Sequence, residues 1–115
     1  MKIYHNPRCQ KSREALALLQ ETDQKIDIIQ YLKEPLSTTD LKTLLKKLKL
    51  PAEKLIRKSE KIYKEEFKGK DLTEDQWIKA MVEYPILIER PIVVKGRKAV
   101  IGRPPENVRE LLPPD

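Results

Sequence analysis

The chain has one cysteine in 115 residues. That excludes an internal disulfide and any cluster of cysteine metal ligands. If Cys9 does redox chemistry, the second thiol must come from another molecule. There is also one histidine, His5, so a histidine-rich metal site is excluded and no metal is expected. Aromatic residues make up 5% of the chain, which leaves little platform for stacking single-stranded nucleic acid. No apolar run approaches the ~18 residues of a membrane span. The opening Met1-Lys2-Ile3-Tyr4-His5 runs directly into a strand-like pattern, without the apolar stretch of a signal peptide. The expectation is a cytoplasmic chain with neither nucleic acid nor membrane as a partner.

Charge is what the sequence has in quantity. Charged residues make up 37% and hydrophobic residues 39%, so a thin core sits under a heavily charged surface. The length fits one domain, residues 1–115, and a chain of this size buries roughly two-thirds of its unfolded surface without a staple. The net charge is +6 and the pI about 9.4. Such a balance suits nucleic acid or an anionic small substrate. The lysines are spread along the chain, as at Lys42, Lys46, Lys47, Lys49 and Lys54, which sets this surface against the nucleic-acid reading.

Met1 to Tyr4 reads as a short strand and Asn6-Pro7-Arg8 as a turn. Ala15, Leu16, Leu18 and Leu19 then lie at helical spacing between Gln10 and Gln20, and Lys25 to Ile29 alternates as a second strand. That order predicts a parallel strand–helix–strand unit. Ser37-Thr38-Thr39-Asp40 and Thr73-Glu74-Asp75-Gln76 are capping boxes, each opening an amphipathic helix. A short helix is expected over 52–57, and an exposed loop or frayed helix over 58–70. Pro91 to Val94 and Ala99 to Ile101 read as a hairpin turning at Lys95-Gly96, followed by a helix from Glu106 to Leu112. The predicted fold is α/β and thioredoxin-like, with a mixed sheet. Its core covers about 1–31 and 85–112, with a helical insertion at about 36–84.

Cys9 falls where the first strand turns into the first helix. Unpaired N–H groups at a helix start, together with the helix dipole, stabilise a thiolate there. Arg8, Lys11 and Arg13 add positive charge nearby in sequence. A free cysteine of pKa ~8.5 is only about 3% ionised at pH 7, so a lowered pKa raises the nucleophilic fraction directly. Ser12, three residues on, cannot close a disulfide. Its hydroxyl either donates to the thiolate or a bound oxyanion, or satisfies backbone in the first helical turn. His5 is a candidate to deprotonate or orient Cys9, or else a structural strand-end residue, and Asn6 shapes the turn.

Tyr4 to Arg13, read as Tyr-His-Asn-Pro-Arg-Cys-Gln-Lys-Ser-Arg, resembles the active-site segment of the ArsC-type arsenate reductases that depend on glutathione and glutaredoxin. Its Asn6-to-Ser12 stretch is closer to a short subgroup of that family. Pro85 to Val94 and Ile101-Gly102-Arg103-Pro104 resemble the family's two arginine-bearing segments, and Leu55-Ile56-Arg57-Lys58 falls where a further site arginine lies. The resemblance implies that Cys9 is the nucleophile, that Arg57, Arg90 and Arg103 bind the oxyanion, and that Pro91 follows a cis bond. His5, Asn6 and Ser12 remain supporting residues. It also implies reduction of arsenate to arsenite through a Cys9 adduct, with glutathione as co-substrate, glutaredoxin as partner and no bound cofactor. Two alternatives stand beside it: a glutathione-linked thiol oxidoreductase acting on another substrate, and a redox regulator of the Spx type that binds RNA polymerase. Many Spx-type proteins carry Cys-x-x-Cys, whereas Ser12 stands in the second position here.

Overall fold

In the computed structural model, which describes residues 1–112, the opening segments fold in the expected order. Strand β1 (Lys2–Tyr4) leads through a turn into helix α1 (Gln10–Gln20), and the chain returns as β2 (Asp27–Ile29). β1 and β2 pair in parallel, with Ile3 opposite Ile28. Ala15 and Leu19, one helical turn apart, are buried on the same face of α1.

Strands β3 (Ile92–Lys95) and β4 (Lys98–Ile101) form the hairpin, and β3 pairs antiparallel with β1. The mixed sheet has the order β2-β1-β3-β4. The hairpin turn lies one residue later than the sequence reading placed it. Lys95 still pairs with Lys98 in the ladder, and Gly96-Arg97 make the two-residue loop. Gly96 sits at φ +60°, the backbone region that a glycine-first loop of this length requires.

The closing helix differs as well. It is a 3-10 helix over Pro105–Leu111, where the sequence reading placed a helix from Glu106 to Leu112. Its buried residues are Pro105, Val108 and Leu111, a spacing of three that matches three residues per turn. It packs on α1 and β4. The core of this unit is Ile3, Ala15, Leu19, Val93, Val108 and Leu111. A strand–helix–strand unit joined to a hairpin and helix around one mixed sheet is a thioredoxin-like fold.

The chain divides into two compact units: Met1–Glu34 with the chain from Arg90 onward, and Pro35–Glu89. Residues 85–89, read above as part of the core, fall in the helical unit. The backbone explains this. Arg57 N–H bonds the Leu87 carbonyl at 2.7 Å, Glu89 N–H bonds the Leu55 carbonyl at 2.8 Å, and Ile56 and Ile88 make a single antiparallel bridge between them.

In the helical unit, α2 (Thr38–Leu48) buries Leu41, Leu44 and Leu45, and α3 (Glu74–Glu83) buries Trp77, Ile78, Ala80 and Met81. Both predicted capping boxes are formed, Ser37 with Asp40 and Thr73 with Gln76. The predicted helix at 52–57 is a 3-10 turn over Ala52–Leu55. The charged stretch after it holds a π-helical turn, Tyr63–Phe67, with no buried residue. Tyr63 and Phe67 tether that turn by placing their rings 6.4 and 6.0 Å from Trp77. Among the described residues no helix is long and apolar enough to cross a membrane.

Candidate active site

Cys9 is the N-cap of α1, with extended backbone angles (φ −96°, ψ 122°). Asn6 builds the turn that delivers it there. The Asn6 side-chain oxygen accepts from Arg8 N–H at 3.0 Å, and its carbonyl accepts from Cys9 N–H at 3.0 Å. The Cys9 carbonyl then takes the first helical bond, from Arg13 N–H at 3.0 Å. The Arg13 guanidinium reaches back to the Pro7 carbonyl at 2.9 Å. Of the expected nearby cations, Arg13 thus braces the turn. Lys11 faces Glu14 at 3.8 Å on the helix surface.

Ser12 is fully buried, and its hydroxyl is engaged away from the sulfur. It accepts from Asn6 N–H at 3.0 Å and shares a 2.7 Å bond with His5 Nδ1. A serine hydroxyl has one hydrogen and two lone pairs. Either tautomer of His5 is served, because the hydroxyl donates to a bare Nδ1 or accepts from a protonated one. His5 is 6% exposed, and burial, followed by the charge of Arg13, holds its pKa below the ordinary 6.5. The trio His5–Ser12–Asn6 therefore joins the end of β1 to the first turn of α1. Of the two readings the sequence left open for Ser12, the geometry matches the one in which the hydroxyl satisfies backbone.

The Cys9 thiol is half-buried and reduced. Burial, the largest single influence, pushes its pKa up. The Ser12 backbone N–H, a hydrogen bond from Arg90 and its charge, and the Lys11 backbone N–H pull it down. The downward influences win together, and the thiol ionises more readily than an ordinary cysteine. It is therefore the Ser12 backbone, not its hydroxyl, that acts on the sulfur.

Two arginines come to the thiol from the far end of the sequence. Arg90 bonds it directly, and Arg103 places Nη1 at 3.7 Å from Sγ and 3.3 Å from the Arg90 carbonyl. Of the two, Arg90 is the arginine whose hydrogen bond and charge lower the thiol's pKa. Both arginines are followed by cis peptide bonds, at Pro91 and at Pro104. Pro91 is the cis proline that the resemblance implied.

Two further residues complete the site and were not singled out from the sequence. Gly102 sits where a Cβ would lie 2.9 Å from Pro91 Cγ, so only glycine fits between the proline ring and the core. Asn107 donates from Nδ2 to the carbonyls of Ile101 and Arg103, both at 3.2 Å. The glycine directly before an arginine was a usable signal. Nothing in the pattern around Asn107 marked it.

Arg57 belongs to the helical unit. Its Nε lies 3.2 Å from Glu60 and its Nη1 2.7 Å from Glu89, in a surround where its side chain is only 14% exposed. It is thus a largely buried, carboxylate-paired arginine. Among the described residues no cluster of three or more histidine, cysteine, aspartate or glutamate side chains is placed to hold a metal ion.

Comparison with known proteins places the chain clearly. The model of the ArsC family matches residues 4–111. The chain is 48% identical over 114 residues to the uncharacterized protein YfgD of Escherichia coli K12, covering 97% of this chain and 96% of that one. It is 44% identical over 112 residues to an arsenate reductase of Haemophilus influenzae, covering 96% and 97% respectively. A solved structure of arsenate reductase from Vibrio cholerae superposes with a TM-score of 0.92 at 46% identity, over 97% of this chain and 98% of that one.

Proposed function

The chain belongs to the ArsC family, and from that premise we propose that it is a thiol-dependent oxidoreductase that reduces arsenate to arsenite at Cys9. One observation carries the reading: a cysteine of lowered pKa caps α1, with Arg90 bonded to its sulfur and the Arg103 guanidinium 3.7 Å away. A nucleophilic sulfur and cationic forks at one point suit a substrate that is a compact oxyanion attacked at its central atom. Relatives named arsenate reductases favour arsenate among such anions.

In this reading Arg90 and Arg103 orient the anion and offset its charge as the sulfur approaches. The resemblance also implies Arg57 as an oxyanion binder; within the helical unit its guanidinium is paired with Glu60 and Glu89. His5, Ser12 and Asn6 keep the Cys9 turn in place. The Cys9 thiolate attacks arsenic(V), an S–As bond forms, and one arsenic–oxygen bond breaks with its oxygen leaving as water. Glutathione engages that adduct and glutaredoxin completes the reduction, so that arsenite leaves and Cys9 returns as a thiol. In total, arsenate and two external thiols give arsenite, one disulfide and one water. Arsenic gains the two electrons that the sulfurs lose. External thiols are required because the chain has no second cysteine.

The test is arsenite production from arsenate with glutathione and glutaredoxin. Cys9→Ser abolishes turnover, and Arg90→Ala lowers it by about tenfold or more, the scale of losing one charge-assisted contact. Absence of arsenite with the wild-type chain removes arsenate as the substrate. Undiminished turnover in Cys9→Ser removes the thiol mechanism.

A further inference from the structure

We propose that Asn107 is a positioning residue for this site, acting through Arg103. Arg103 lies on an irregular segment between β4 and the closing 3-10 helix, outside any strand ladder. A long arginine side chain held only at its tip loses much of its orientation to rotamer freedom unless its own backbone is fixed. Asn107 supplies that fixing. Its Nδ2 donates to the carbonyls of Ile101 and Arg103, one on each side of Gly102, each at 3.2 Å. Its own N–H bonds the Pro104 carbonyl at 3.0 Å. Gly102 N–H bonds the Pro91 carbonyl at 2.8 Å, which ties the same segment to the one that carries Arg90.

The Asn107 amide therefore ties down two carbonyls, of Ile101 and Arg103, and its backbone N–H a third, of Pro104. From that anchored backbone the guanidinium reaches the Arg90 carbonyl and the Cys9 sulfur. Both Nδ2 hydrogens go to carbonyl oxygens, a task that an aspartate of the same shape cannot perform. A carboxylate would face two acceptors and repel them. The inference deepens the proposed function and rests on its reactive Cys9 thiolate, not on the identity of the oxyanion.

The test is the rate of Cys9 alkylation by iodoacetamide from pH 5 to 9. It compares the full wild-type chain with Asn107→Asp, Asn107→Ala, Arg103→Ala and the double variant Asn107→Ala/Arg103→Ala, each checked for cooperative melting. Arg103→Ala slows alkylation at pH 6 by about tenfold, since a cation close to the sulfur is removed. Asn107→Asp and Asn107→Ala slow it by about threefold, and Asn107→Ala adds nothing once Arg103 is gone. Asparagine variants that react like the wild type overturn the inference and leave the thiolate reading intact. An equal slowing by Asn107→Ala with and without Arg103 shows that the amide works by another route, and also overturns it. If wild-type Cys9 reacts with the pH dependence of an ordinary thiol, the thiolate reading and this inference fall together. Should Asn107→Asp fail to fold, Asn107→Ala and its cycle with Arg103 decide the matter alone.

Discussion

Gly102→Ala isolates the close packing that sets Arg103 beside Cys9. A Cβ at that position would lie 2.9 Å from Pro91 Cγ, 3.3 Å from Ala15 Cβ and 3.3 Å from Val108 Cγ1. None of these atoms is the free end of a flexible side chain. The first belongs to a proline ring, the second is fixed to the α1 backbone, and the third sits in the core. Overpacking of this kind costs about 1–3 kcal/mol, and three rigid neighbours put the site at the top of that range. Losing glycine's freedom in the unfolded chain returns up to about 1 kcal/mol. The net loss is about 2 kcal/mol, which for a chain of this size lowers the melting temperature by about 8 °C. Gly96→Ala is the internal control. Nothing lies within 4 Å of its Cβ position, but its φ of +60° disfavours a side chain. It should cost about 1 kcal/mol and about half the shift in melting temperature. Thermal unfolding followed by far-UV circular dichroism measures both. A Gly102→Ala chain melting within about 2 °C of wild type, or less perturbed than Gly96→Ala, refutes the packing argument.

Four further outcomes follow from the same geometry. Ser12→Ala leaves His5 Nδ1 and the Asn6 N–H buried without their shared partner, and should destabilise the chain by about 2–3 kcal/mol in urea unfolding. His5 is the only histidine and its folded pKa is lowered, so the unfolded chain binds its proton first. Stability should be full above pH 6.5 and begin to fall as pH drops below it, with His5→Gln flattening the upper part of that fall. The Cys9 pKa is lowered instead by contacts to its charged form. Its contribution to stability is therefore present above the ordinary thiol range and lost as pH falls through the folded value. Arg90→Ala should accordingly slow alkylation at pH 6 by at least about tenfold, no less than Arg103→Ala does. Glu89→Ala removes a 2.7 Å partner from a mostly buried Arg57, and should cost about 1–2 kcal/mol in chemical unfolding, whereas Glu89→Gln, which can still accept, costs less.

What was legible in the sequence was what local rules govern. The capping boxes at Ser37 and Thr73, the α1 spacing and the position of Cys9 at a strand–helix junction each depend on a few adjacent residues, and each is present. What was not legible depends on which carbonyl meets which donor. The turn of the hairpin fell on Gly96-Arg97 because the ladder continues to the Lys95–Lys98 pair, a matter of strand register that a lysine beside a glycine does not reveal. The closing helix took the 3-10 form because three core contacts recur every third residue, in a segment whose prolines also fit an α-helix start. Residues 85–89 went to the helical unit through backbone bonds to 55 and 57, a pairing across a long sequence separation. At the site, the arginine segments were found by resemblance and the backbone role of Ser12 was one of two open readings, while the tasks of Gly102 and Asn107 emerged only from contacts.

The influences on Cys9 are of two kinds, and the difference decides what mutation can separate. The N–H groups of Ser12 and Lys11 are backbone donors fixed by α1 itself, and no side-chain change short of breaking the helix removes them. The Arg90 and Arg103 guanidinia arrive from distant segments and can each be deleted singly. Burial opposes ionisation throughout. Deleting one arginine should therefore leave a thiol still favoured by its helix position, though less acidic than in the wild type. An oxyanion draws both its countercharge and its paired hydrogen bonds from the guanidinia. Arginine variants should consequently lose oxyanion turnover more steeply than they lose alkylation rate. Equal losses in both would mean that the arginines act on the sulfur alone and that the anion is held elsewhere.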